Sequence, residues 1–244
     1  IQTLFLEDDH TRVEVEKYAL DGTERVALPG AGFTLYPAQT DETGQALWED
    51  GKPLYDGSAA IAQWMTADIE KYRGFLTAFE NMYRDYGTTP GTRVTWEWEG
   101  DPYQAEYRSC QQIDASISGG PASIWPTAAR MEFETNEGKW IRIAISGEKD
   151  GSLGRDFTFS YQLEYEPLPQ INPYAHQYLT LEGRHCLEYL PVGGQYVLVE
   201  TAVPDGYAEA EPRLIRVLDT AEIQLYEIEN QEGALIISKT GTGG

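Results

Sequence analysis

Cysteine and cations are scarce in this sequence, and each scarcity removes a class of function. Only two cysteines, Cys110 and Cys186, occur in 244 residues. They stand apart, with no CxxC or other ligand spacing, which argues against a zinc site, and no metal is expected. Two thiols cannot make a disulfide framework; they read as buried free thiols before they read as one bridge. Lys and Arg total 18 against 40 Asp and Glu, a net charge of −22. Nucleic acids and anionic membrane surfaces both call for a basic footprint, so neither is an expected partner. No run of about 18 apolar residues is present, so no segment is expected to span a membrane.

Catalytic signatures are equally thin. Three histidines, His10, His176 and His185, form no HExxH, and neither GxSxG nor a P-loop occurs. His185 and Cys186 are adjacent, so on a strand they point to opposite faces and make a poor dyad. "EKDGSLGRD" and "TDETGQALWED" lack the EF-hand spacing and read as solvated turns. No cofactor is expected. Glycosidase chemistry stays as an alternative only because 40 acidic residues guarantee chance carboxylate pairs. The chain starts at Ile1 without Met and stops at "TGTGG", which reads as a piece cut from a longer protein.

What is present points to strands. A chain of 244 residues suffices for one large domain or two modest ones, and Gly 24, Pro 13, Tyr 16 and Trp 6 tilt it towards strands and turns. "TRVEVEKYALDG" alternates, with Val13, Val15 and Lys17 on one face and Asp21-Gly22 closing the run. "LPGAGFTLYP" gives a second strand around Phe33 and Leu35. From Ser58, read as an N-cap, apolar residues at Ile61, Trp64, Met65, Ile69, Tyr72, Phe75, Leu76, Phe79, Met82 and Tyr83 keep helical spacing, with Gly74 as a weak point and Gly87 and Pro90 as the stop. "VTWEWEG", "ARMEFETNEGKWIRIAIS" and "DFTFSYQLEYE" return to alternation. "HQYLTLEGRHCLEYLPVGGQYVLVETAVPDGY", "RLIRVLD" and "EIQLYEIEN" continue it. The closing "ALIISK" echoes "RVEVEK": each leads alternating apolar residues to a lysine on the apolar face, as tandem modules would.

Three of these pieces resemble the CnaB (SpaA-type, prealbumin-like) domains of Gram-positive surface proteins and pilins. "VEVEKYALDGTERVALPGAGFTLY" looks like the family's opening strand with its lysine, followed by the "LPGAxFxLY" strand. "YLPVGGQYVLVETAVPDGY" is similar to the "LPxGxYxLxETxAPxGY" element, and "YEIENQEGALIISKT" to the closing strand with its asparagine. The resemblance implies a mainly β, Ig-like or prealbumin-like sandwich split between residues 12–36 and 175–231. Residues 1–11 would be a linker or the end of a preceding module, and 232–244 the start of a following one. Between them, 37–174 would be an inserted α+β subdomain with one long helix and several antiparallel strands, larger than the family pattern allows for.

The resemblance also implies an extracellular, cell-wall-anchored adhesin or pilin module, working beside similar modules of the same chain. In that family a lysine, an asparagine and a glutamate form a spontaneous intramolecular isopeptide bond. Carried over by position, Lys17 and Asn230 are the joined residues and Glu200 the catalytic acid. The chemistry suits the residue types: burial disfavours the lysine ammonium and the glutamate carboxylate alike, giving a nucleophile and a proton donor. Such a reaction turns over once, so no enzyme is expected.

Parity gives independent support. Lys17 continues the stripe of Val13 and Val15, Glu200 that of Tyr196 and Leu198, and Asn230 that of Tyr226 and Ile228. Other readings stand beside it: a snorkelling Lys17, an ordinary Lys17–Glu200 ion pair, Asn230 as a turn residue, and Asp219 as a substitute acceptor. Trp96, Trp98, Trp125 and Trp140 in the middle segment read either as a second core or as a face for a host protein or glycan. A thioester adhesin, through Cys110 with Gln111, Gln112 or Gln63, is the remaining covalent alternative.

Overall fold

The structure, a computed structural model, describes residues 10–86, 89–117, 124–150, 156–163, 176–181 and 183–233. The chain opens with β1 (Arg12–Asp21), β2 (Glu24–Ala27) and β3 (Gly32–Pro37), then the short β4 (Trp48–Glu49) and β5 (Lys52–Pro53). β6 (Ala62–Thr66) precedes the helix α1 (Ile69–Tyr86). β7 (Arg93–Trp98), β8 (Asp101–Ile117), β9 (Ile124–Thr135), β10 (Trp140–Asp150) and β11 (Asp156–Leu163) follow. The last group is β12 (Tyr178–Thr180), β13 (Arg184–Glu188), β14 (Gln195–Ala202), β15 (Arg213–Arg216) and β16 (Gln224–Asn230). The protein is a mainly-β sandwich, as the resemblance implies, with one helix among the described residues.

One sheet has four strands in the order β13-β1-β16, with β2 also on β1. β1 runs antiparallel to β13 and β2 along one side and parallel to β16 along the other, so the first and last strands among the described residues are neighbours. The larger sheet has ten strands, ordered β15-β14-β3-β6-β12-β10-β9-β8-β7 with β11 also on β10. Two cores result. The first lies between the sheets and takes Val13 and Val15 from β1, Phe33 and Leu35 from β3, Leu198 from β14 and Ile228 from β16. The second lies under α1, where Tyr72, Phe75 and Phe79 pack on Val94, Trp96, Met131, Phe133 and Ile141. Each fully buried aromatic there contributes roughly 1.5–3 kcal/mol of transfer free energy.

The helix starts later than its spacing predicts. Ile61, Trp64 and Met65 fit i, i+3, i+4, yet Ala62–Thr66 is a strand with alternating burial, paired antiparallel to β3 and parallel to β12. Pairing on both sides outweighs a helical period that a short segment satisfies by chance. Ser58 lies in a turn closed by Asp56, whose Oδ1 accepts from Ser58 N–H at 3.0 Å and Oγ at 2.6 Å. The helix is capped by Asp68, whose Oδ1 accepts the Glu70 N–H at 2.9 Å. Gly74 does not break it, since α1 is continuous over 18 residues. A Cβ at 74 would lie 3.3 Å from Trp96 Cβ, so the glycine makes room for that indole. The echo strand "ALIISK" and the segment 1–9 lie outside the described residues.

Candidate functional site

Strand parity brings three polar side chains into the first core. On β1 the odd residues face inward, and Lys17 follows Val13 and Val15. The parallel register sets Lys17 opposite Ile228 and Ala19 opposite Asn230, so the lysine reaches Asn230 by leaning along its strand. From the facing sheet β14 presents Tyr196, Leu198 and then Glu200, which is paired with Phe33. The register of β14 on β3 shifts between Glu200 and Ala202, a bulge at the end of the buried run. Gly32 permits it: a Cβ there would meet Ala202 Cβ at 2.8 Å.

Lys17, Glu200 and Asn230 are 1%, 4% and 3% exposed. Lys17 Nζ lies 3.1 Å from Glu200 Oε1 and donates to Asn230 Oδ1. Asn230 Nδ2 donates to the same Glu200 Oε1 at 3.1 Å. The other carboxylate oxygen, Oε2, accepts the backbone N–H of Ala210 at 2.6 Å. Phe33 forms one wall, its ring centroid 5.5 Å from Nζ. Burial pulls the Lys17 ammonium below the usual lysine range, against the opposing charge and hydrogen bond of Glu200. A charge pair this dry is costly to keep, while an amine, an amide and a carboxyl in mutual contact have the parts needed for amide exchange.

The Ala210 donor carries no sequence signal, because any residue but proline has that N–H. Its position comes from the connection after β14. The Pro-Asp-Gly turn closes with Tyr207 N–H on Pro204 C=O at 3.2 Å. Ala208 N–H then bonds Gln231 C=O at 3.0 Å, and Gly233 N–H bonds Gly206 C=O at 2.7 Å. The returning chain is thereby pinned to the end of β16, over the carboxylate.

The other sequence candidates lie apart. Asp219 is exposed in the bend after β15. Trp96 is 8% exposed in the second core, stacked on Tyr103 and edge-on to Phe75. Trp98 is half-buried, and Trp140 stacks on His176 at 3.7 Å. The side chains of Trp125, Cys110, Gln111 and Gln112 lie outside the described residues, and Gln63 reaches Thr34 Oγ1 at 3.4 Å. His185 stacks on Trp64 inside the first core, and burial pulls it down to about 3, so it is neutral. Cys186 is a buried free thiol, pushed up by burial to about 11.

No family model and no curated protein matches the chain. Among solved structures it is similar to Gram-positive pilins. The C-terminal domain of the shaft pilin SpaA from Lactobacillus rhamnosus GG is 13% identical, with 93% of this chain and 100% of that chain covered and a TM-score of 0.30. A structure of the shaft pilin SpaA from the same organism is 13% identical, with coverage of 93% and 100% and a TM-score of 0.22. GBS52, the minor pilin of Streptococcus agalactiae, is 12% identical, with coverage of 95% and 100% and a TM-score of 0.26.

Proposed function

We propose that this chain is a structural module of a bacterial cell-surface protein, locked by an amide bond between Lys17 and Asn230 that Glu200 promotes. The observation that carries this reading is the meeting of all three buried groups at one atom, Glu200 Oε1. Desolvation favours the neutral Lys17 amine. Its Nζ attacks Asn230 Cγ, and the Nζ–Cγ bond forms. Glu200 carries the proton released by the amine to the departing Nδ2. The Cγ–Nδ2 bond breaks and one ammonia leaves, so a lysine amine and an asparagine amide become one secondary amide. The Ala210 N–H holds Oε2 and leaves Oε1 for this transfer.

The bond closes a span of 213 residues. By the loop-entropy relation used for disulfides, such a closure stabilises the fold by about 5 kcal/mol. Its mechanical effect follows from the parallel pairing of β1 and β16. Tension entering β1 and leaving through β16 shears that pair, and a covalent link between them takes the load. This suits a shaft or stalk at the cell wall, joined to further modules of the same chain. Residues 12–36 and 175–231 form the frame of the module in this reading, and residues 37–174 are carried on it without bearing load.

Intact-mass spectrometry tests the bond. The folded protein loses one ammonia, and Lys17→Ala, Glu200→Ala and Asn230→Ala each abolish the loss. An unmodified mass in folded wild-type protein sinks the proposal. A ligand face on the middle segment rests on the half-buried Trp98 and Trp140. It is tested by comparing wild type with the Trp98→Ala and Trp140→Ala variants against glycans and matrix proteins, and equal signals remove it.

A further inference from the structure

β15 is the outer strand of the ten-stranded sheet, and side chains close most of its free edge. Val217 exchanges backbone hydrogen bonds with Gly193 and Gly194 at 2.8 and 2.9 Å, on the β14 side. Alternation therefore turns Leu214, Arg216 and Leu218 outward. Tyr226 Oη accepts the Arg216 N–H and donates to its C=O, both at 3.1 Å. Gln224 Oε1 accepts the Leu218 N–H at 2.8 Å, and its Nε2 lies 3.5 Å from the Leu218 C=O. Pro212 has no N–H to offer. One outward residue, Leu214, is left, in a groove of about 360 Å³ lined by Trp48, Pro212, Arg213, Leu214, Arg216 and Tyr226.

A single open residue is too little for an added strand, which needs a row of backbone groups. The volume instead falls at the small end of the range for compact ligands, roughly 300–1,000 Å³. Trp48, which is not in the aromatic set singled out by sequence, is 53% exposed over this groove. Arg213 and Arg216 are exposed, and among the described residues neither forms an ion pair, although acids outnumber cations 40 to 18. Glu211 pairs with Lys52 at 2.7 Å and Glu227 with Arg25, and the charge of Arg213 also acts on Glu227. A flat indole, the unpaired Arg216 guanidinium and one backbone donor–acceptor pair thus share a small groove, while Arg213, of opposite strand parity, also faces Glu209, Glu211, Glu227 and Glu229.

We propose that this groove binds a sugar ring bearing a carboxylate, such as a uronic or sialic acid unit of a glycan. The Trp48 indole stacks on the apolar C–H face of the ring, and Arg216 takes the carboxylate. The Leu214 N–H and C=O meet ring hydroxyls. The site works independently of the Lys17–Asn230 link and stands or falls separately from it.

A ¹H–¹⁵N NMR titration of the whole chain tests the site with four probes: a glucuronate-terminated disaccharide, sialyllactose, lactose and a hexaglutamate peptide. The Trp48 indole and Leu214 amide signals shift with one or both acidic sugars and not with lactose, and the responding sugar identifies the source. Trp48→Ala and Arg216→Ala each weaken binding by at least about tenfold. Equal shifts with lactose, no shift with any sugar, or unaltered binding in the variants overturns the site. A response to hexaglutamate alone replaces it with a peptide-docking surface.

Discussion

The first core buries a lysine, a glutamate and an asparagine among its valines and leucines, whereas the second is built from aromatic rings. In the second, Phe133 meets Phe75 and Phe79 edge-on, at 5.1 and 5.0 Å between ring centroids. Such packing is complete as soon as the chain has folded. The polar cluster of the first core is a liability on folding, since buried charges cost more than their attraction returns unless every group is satisfied. On the proposal above, conversion of Lys17 and Asn230 to an uncharged amide removes the buried ammonium, and Glu200 keeps its hydrogen bond from Ala210 N–H. One core is thus finished by packing and the other, on the proposal above, by chemistry.

The contrast breaks most visibly at Glu200. Glu200→Ala strands a buried lysine, at about 3–5 kcal/mol, and forfeits the link, at about 5 kcal/mol more. Intact mass and urea unfolding together check both losses. Phe133→Ala removes a fully buried ring from the second core and costs about 3–5 kcal/mol, yet the variant still loses its ammonia if the two cores complete independently. Retention of that ammonia by folded Phe133→Ala would merge the two cores into one unit.

Smaller effects sharpen the picture. Ala210→Pro deletes the donor to Oε2, a charge-assisted bond of about 1.5–3 kcal/mol, and slows ammonia loss about tenfold or more in time-resolved mass spectra. The unreacted Asn230→Ala variant gains stability as pH rises towards 10.5. Below that pH the unfolded lysine binds a proton that the buried Lys17, with its lowered pKa, gives up first. The gain stops above 10.5, and the linked wild type lacks it because its amide nitrogen does not titrate in that window. Unfolding curves across the window check the sign. Asp219→Ala, at an exposed bend, changes stability by no more than about 0.5 kcal/mol and leaves ammonia loss intact, which separates Asn230 from the alternative acceptor.

The meeting of Lys17, Glu200 and Asn230 was legible because each polar residue continues an apolar stripe of period two, a pattern that survives without knowledge of the partner strand. The start of α1 was not legible. Ile61, Trp64 and Met65 satisfy a helical period locally, and only pairing with β3 and β12, distant in sequence, decides for a strand. The continuity of one sheet through both cores was hidden for a similar reason, since it passes through the three-residue β12. Trp48 escaped notice because exposure is a property of the assembled fold. The Ala210 donor was invisible because backbone amides leave no mark in a sequence.

The parallel pairing of β1 with β16 also sets an order in time. β1 is made before β16, and among the described residues its partner along one side from Val13 to Ala19 is that later strand, which ends at Asn230. During synthesis that side of β1 waits, and on the proposal above Lys17 has no amide to attack until Asn230 has been made. On that proposal the span from Lys17 to Asn230 stays an open polymer through synthesis and becomes a closed ring only after β16 is complete. On the same proposal a product truncated before Asn230 cannot lock, so closure reports that both joined strands have been made.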